Sequence, residues 1–192
     1  MILKLATLFK NLIIILALIG MVYWFYVQSQ TSRQVNIKGK PQEYMAQITI
    51  TNYAETGSPK EKLQAEYWEF VPAAGRSDLI KPYVTVYKLN GDVWYLSANK
   101  AVAWHRTIGD KITLIDMSEG VVIERPALNN ATPTKIETLA LQYTPSEEMI
   151  SSKEFVSMQQ PGLTINGYGM LGYLDRNWIE LHEKITTVYV PG

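Results

Sequence analysis

The chain contains no cysteine, which removes disulfides, thiol nucleophiles and cysteine-ligated metals in one step. It also lacks a charge of dominant sign. Eighteen basic and eighteen acidic residues are interspersed and give a formal net charge of zero. Nucleic-acid binding calls for a basic stripe, and none is present. Only two histidines occur, His105 and His182, far apart in sequence and with no second ligand at metal spacing. A lone histidine beside a turn reads as a solvated polar residue. There is no P-loop and no G-x-S-x-G elbow, and the carboxylates are scattered singly. Gly167, Gly169 and Gly172 in NGYGMLG imitate a nucleotide loop, but LDRNWIELHEK after them has no amphipathic stripe. In a strand-rich region such glycines mark bulges or close backbone approach. Nothing here nominates a catalytic residue, a metal site or a cofactor, and the chain reads as a non-enzyme.

What the sequence does contain begins with an uncharged run from Asn11 to Ser32. As a helix it would extend about 33 Å, enough for a bilayer core of about 30 Å. Tyr23, Trp24, Phe25 and Tyr26 sit where aromatic rings favour the headgroup boundary, and Lys4 and Lys10 precede the run. These features predict residues 1–10 as a cytoplasmic N-terminus, 11–32 as a single transmembrane anchor, 33–42 as a neck, and 43–192 as one domain outside. The competing reading is a cleaved signal peptide, with Val27 and Ser29 as small residues before the cut.

After Glu43 the helical period gives way to runs alternating with period two, the mark of half-buried strands. Ile48 and Ile50 face one way in QITITN, with Gln47, Thr49 and Thr51 opposite. Val84 and Val86 repeat this in PYVTVYK, leaving Thr85 outward, as do Ile112 with Leu114 and Val121 with Ile123. Turn signals separate the runs at 55–59, 74–75, 90–92, 109–110 and 161–162. Asn90-Gly91 is the sharpest, and its residue types suit a two-residue hairpin. Strand-turn-strand units recur loosely around Leu63, Leu96, Ile136 and Ile165. This repetition fits either stacked strand layers (a jelly roll or solenoid) or a plain antiparallel meander. The fold class is therefore all-β behind one helix. Such a sheet offers an apolar interior for an extended molecule and edge strands for another sheet.

Taken in order, the lysine-flanked anchor, QITITNYAETGSPKEKLQAEYWEF, IKPYVTVYKLNGDVWYLSANKA, GVVIERP and GYGMLGYLDRNWIELHEKITTVYV resemble the LptC family of lipopolysaccharide-export proteins of Gram-negative bacteria. The resemblance implies a periplasmic, twisted, boat-shaped β-jelly roll with an open hydrophobic groove, held at the inner membrane. It implies that lipopolysaccharide is accepted from the ATP-driven LptB, LptF and LptG extractor and passed to LptA. By matching positions, groove-lining residues fall on Ile48, Leu79, Ile179 and Tyr189, and turn glycines on Gly57 and Gly162. The terminal strand, with Ile185, Thr187 and Tyr189, becomes the edge that meets LptA, and a second copy of the chain is a further partner for the isolated domain. Read without the resemblance, Ile48, Leu79 and Ile179 serve equally as core. A tethered scaffold that binds only proteins is the alternative function.

Overall fold

The computed structural model describes residues 43–105, 110–128 and 131–189. The expected cytoplasmic N-terminus, anchor and neck, and residues 190–192 of the expected domain, lie outside them. Among the described residues no helix is long and apolar enough to cross a membrane. The helices among them are two single 3-10 turns, Pro72–Ala74 and Leu174–Arg176.

Eleven strands form one antiparallel sheet: β1 (Glu43–Tyr53), β2 (Pro59–Val71), β3 (Arg76–Ile80), β4 (Tyr83–Tyr87), β5 (Val93–Ser97), β6 (Lys100–Trp104), β7 (Leu114–Arg125), β8 (Thr134–Thr144), β9 (Met149–Gln160), β10 (Leu163–Tyr173) and β11 (Trp178–Tyr189). The pairing reduces to a simple meander. β3 and β4 lie end to end against the two halves of β2, and β6 and β5 lie end to end against the two halves of β7. Each long rung thus consists of two half-strands joined by a bend.

The bends align across the sheet. They fall at Gln47 (φ 52°), Lys81 (φ 49°), Glu119–Gly120 (φ 63° and 89°), Gly169 (φ 71°) and Lys184 (φ 51°), all in the left-handed region that breaks a ladder. Neighbouring bends are stitched together: the Lys81 amide donates to the Asn99 carbonyl at 2.8 Å, and the Asn99 side-chain amide donates to the Glu119 carbonyl at 2.6 Å. Pro82, which cannot donate to a ladder, sits where the ladder is interrupted anyway.

Bending every rung along one line folds the meander into two facing layers. One layer carries Leu63, Val84, Val86, Trp94, Leu96, Val121 and Ile123; the other carries Trp68, Leu79, Ala101, Ala103, Ile115, Met117, Leu141 and Tyr143. All of them belong to one core cluster. Strand alternation supplies the apolar face of each layer, and the bend turns those faces together. At about 25 cal/mol per Å², burial of each large side chain contributes roughly 1.5–3 kcal/mol.

Several local expectations need correcting. The Asn90-Gly91 hairpin has a three-residue loop, because the Lys88 amide bonds the Asp92 carbonyl at 2.9 Å and Gly91 takes the left-handed position (φ 85°). That is a type I turn with a bulge, not a two-residue turn. In KITLI the buried partner of Ile112 is Ile115, with Leu114 half-exposed, because β7 begins only at Leu114 and the segment before it is a loop. Thr85 does point away from Val84 and Val86, yet it is only 6% exposed. His105, expected in solvent, is 5% exposed and bonds Ser77 Oγ through Nε2 at 2.6 Å, with its ring against Trp68 and Phe70.

Candidate functional site

Each strand's alternation decides which side chains enter the space between the layers, and pairing stacks them into columns. One column runs Ile115–Tyr143–Ile150–Gly172–Ile179 across β7 to β11. Gly172 is required there: a Cβ would stand 2.8 Å from Ile150 Cγ1 and 3.3 Å from Ile179 Cγ1. Gly167 has the same function beside Leu181, 2.9 Å from a built Cβ. The glycines of NGYGMLG therefore let strands approach closely, with Gly169 at the bend.

Midway along the interior, Val84, Val86, Leu96, Ile123 and Ile136 are fully buried. Coverage thins at two ends, with Ile48 and Ile50 on β1 at one and Met158, Ile165 and Ile179 on β9 to β11 at the other. The β1 end opens into a cavity of about 460 Å3 whose walls include Met45, Ile50, Trp68, Ile112, Glu61 and Lys60, residues of both layers. A larger cleft, about 800 Å3, follows the bends from Val102 to Lys184 and mixes Met117, Leu141 and Met170 with Asp116, Lys153 and Glu183. It contains none of the four groove residues expected from the sequence.

Those residues separate as follows. Ile48 and Ile179 are half-buried at opposite ends of the core. Leu79 is 2% exposed, wholly within the core. Tyr189 is 71% exposed and pairs with Leu163, two positions from the Ile165–Thr187 pair, so it shares the inward-facing side of β11 beyond the covered region. Gly57 (φ 83°) and Gly162 (φ 71°) occupy the β1–β2 and β9–β10 turns in conformations that favour glycine. Ile185, Thr187 and Tyr189 lie on β11, which among the described residues pairs with β10 only; β1 is likewise paired there on one side only, with β2.

Polar groups missed in the sequence occupy the margin opposite the bends, where strand tips of the two layers meet. Tyr143 Oη donates to Glu61 Oε2 at 2.7 Å, and the Asn52 amide approaches the other oxygen at 3.4 Å. Burial raises the Glu61 pKa above its usual value, opposed by the hydrogen bonds from Tyr143 and Asn52. The Tyr143 hydroxyl is pushed well above 10, by burial and then by the adjacent carboxylate. Lys88, beyond β4, pairs with Glu148 in the β8–β9 turn, and Lys60 joins it at 3.6 Å. Burial draws the Lys88 pKa down from 10.5 to about 8, with Asp175 acting against that fall and Lys60 adding to it. Trp94 Nε1 donates to Asn177 Oδ1 at 3.3 Å, while Arg125 covers the Trp94 ring and bonds Asp92 at 2.9 Å. No sequence motif marks the Lys88–Glu148, Glu61–Tyr143 and Trp94–Asn177 pairs, whose members are 60, 82 and 83 residues apart. Among the described residues no group of three or more acidic or histidine side chains is arranged to hold a metal ion.

The crystal structure of LptH from Pseudomonas aeruginosa, the LptA-homologous periplasmic component of its lipopolysaccharide transport device, superposes with a TM-score of 0.54. The match covers 68% of this chain and 95% of that one at 15% identity, and shows the fold. No curated protein sequence matches this chain. The family model for lipopolysaccharide assembly, LptC-related, matches residues 12–190. The chain belongs to that LptC-related family of lipopolysaccharide-assembly proteins, and its role lies in lipopolysaccharide transport.

Proposed function

We propose that this protein is an inner-membrane-anchored, periplasmic relay that takes lipopolysaccharide from the LptB, LptF and LptG extractor and hands it to LptA. In this reading the folded meander is an open, boat-shaped jelly roll whose interior carries acyl chains. The observation that carries it is the uneven cover of one continuous apolar interior. It is fully buried in the middle and only half-covered at Ile48 and Ile50 on β1 and at Met158, Ile165 and Ile179 on β9 to β11, where Ile150, Val156 and Met170 stay buried. A path between two partners needs two openings. The anchor at 11–32 would tether the domain to the membrane. Ile48 and Ile179 would line the two openings, Leu79 the passage between them, and Tyr189 the exit. The free edge of β11 at Ile185, Thr187 and Tyr189 would extend the sheet of the next component. The energy for movement would come from the partner's ATP hydrolysis.

The test places photo-reactive residues at Ile48, Ile179 and Tyr189, with Thr49, exposed on the other face of β1, as control. Lipopolysaccharide should be captured at the first three and not at Thr49. Equal capture at all four positions refutes a lipid path and leaves the protein-only scaffold.

A further inference from the structure

The middle of the interior is too tightly packed to hold an acyl chain while the layers stay together, because Val84, Val86, Leu96, Ile123 and Ile136 are 0% exposed. Admission requires the layers to part. Two features determine how they can do so. On one side every rung passes through the line of bends, where the ladder is already broken at Gln47, Lys81, Glu119–Gly120, Gly169 and Lys184. On the other side the strand tips are joined by three sets of polar contacts between the layers: Glu61 with Tyr143, Lys60 and Lys88 with Glu148, and Trp94 with Asn177.

The distribution of these contacts is uneven. They engage β2, β4 and β5 of one layer. Among the described residues, no side-chain hydrogen bond or ion pair ties the corresponding tips of β9, β10 and β11, near Gln160, Leu163 and Tyr189, to the opposite layer. Glu61 stands in the wall of the β1 cavity, 4% exposed, and its carboxylate accepts from Tyr143, a core residue of the opposite layer. Hydrogen bonds and ion pairs of this kind are individually weak against water but strengthen in a low dielectric. They can yield without unfolding either layer.

We propose that these three contacts form a seam that gates lipid admission: the layers pivot about the bends, the seam parts, and acyl chains enter from the β1 side and pass towards the unclasped β9 to β11 end. The gate deepens the relay reading and rests on it. Glu61, Tyr143, Lys88 and Glu148 thus control access to the interior and need not touch the lipid in its final position.

The absence of native cysteine makes the test specific. In the full-length chain, Lys88→Cys and Glu148→Cys are introduced together and bridged with a short bis-methanethiosulfonate reagent, which dithiothreitol reverses. Purified lipopolysaccharide is the probe, and bound lipid is quantified after gel filtration. The unbridged pair should load at least as fast as the wild type, the bridged pair about tenfold less, with recovery on reduction. Equal loading of bridged and reduced protein, with the wild type loading normally, overturns the gate and leaves the relay intact. Failure of the wild type itself to load defeats the relay and the gate with it. A lipid-free arm tests the seam alone. Tyr143→Phe combined with Lys88→Gln should raise amide hydrogen exchange in β4, β5 and β9 several-fold, while β10–β11 pairing keeps its wild-type protection. Unchanged exchange in β4, β5 and β9 shows that the contacts do not hold the layers, and the proposal is then wrong.

Discussion

Single side chains in this protein set limits that burial alone does not reveal. Glu61 is a buried carboxyl, and burial raises its pKa above 4.5 against the hydrogen bonds from Tyr143 and Asn52. Between that value and the raised one, the folded state binds more protons than the unfolded state. Stability is therefore greatest below about pH 4.5 as far as this group is concerned, and falls as pH rises through the folded-state pKa. Glu61→Gln keeps an acceptor for the Tyr143 hydroxyl and removes the ionisation. Urea titrations from pH 4.5 to 7.5 should show the variant about 1 kcal/mol more stable than wild type at neutral pH, without that decline. Parallel profiles for the two proteins would rule this out. Gly172 sets a steric limit. Gly172→Ala forces a methyl into Ile150, which is wholly buried, and should cost about 1–3 kcal/mol in thermal or urea denaturation. Ile150→Val in the same chain should restore part of the loss; no restoration would mean that the methyl is absorbed elsewhere.

At the scale of elements, alternation was readable wherever one face alone is covered. Val84 and Val86 face the core as their spacing predicts, and so do Val121 and Ile123. Reading failed where a second constraint intervened. Leu114 yields to Ile115 because the strand starts there, and Thr85 is covered although it points away from the core. The hairpin at Asn90 takes a bulged loop in which Asn90 Oδ1 accepts the Asp92 amide at 3.0 Å. The terminal strand carries a further expectation. With β11 paired, among the described residues, only to β10, Thr187→Pro should remove a backbone donor and disfavour sheet extension. Pull-down of LptA should drop markedly, with a wild-type circular dichroism spectrum; deletion from Glu183 onward should abolish it. If both variants are folded and retain LptA, docking occurs elsewhere.

For the whole molecule, the anchor expected at 11–32 and the domain at 43–192 lead to a topology test. Protease added to spheroplasts should cut the chain after Glu43, while the N-terminus stays intact in the membrane fraction. A soluble chain beginning near Gln30 would instead establish the cleaved-signal reading. The same scale bears on the proposed lipid path. One meander folded along a line has one core, a margin where its tips meet and, among the described residues, two edges paired on one side. A closed barrel of the same strands would have no such margin.

By itself the sequence determined the class of the fold, because period-two alternation and glycine-marked turns are local properties of backbone and side chain. NGYGMLG could be read as bulges and close approach for the same reason. The absence of cysteine also excluded disulfides, thiol nucleophiles and cysteine-ligated metals. Only the tertiary structure decided where the layers meet. Glu61 and Tyr143, or Trp94 and Asn177, are ordinary residues in ordinary runs until the bends bring opposite strand tips together. Leu79 and Tyr189, equal as groove residues in the sequence, were separated in the same way, one into the packed core and one onto an exposed end. Periodicity specifies which face of a strand is apolar. What covers that face depends on how nine successive rungs of a meander bend, and that is set by contacts between residues far apart in the chain.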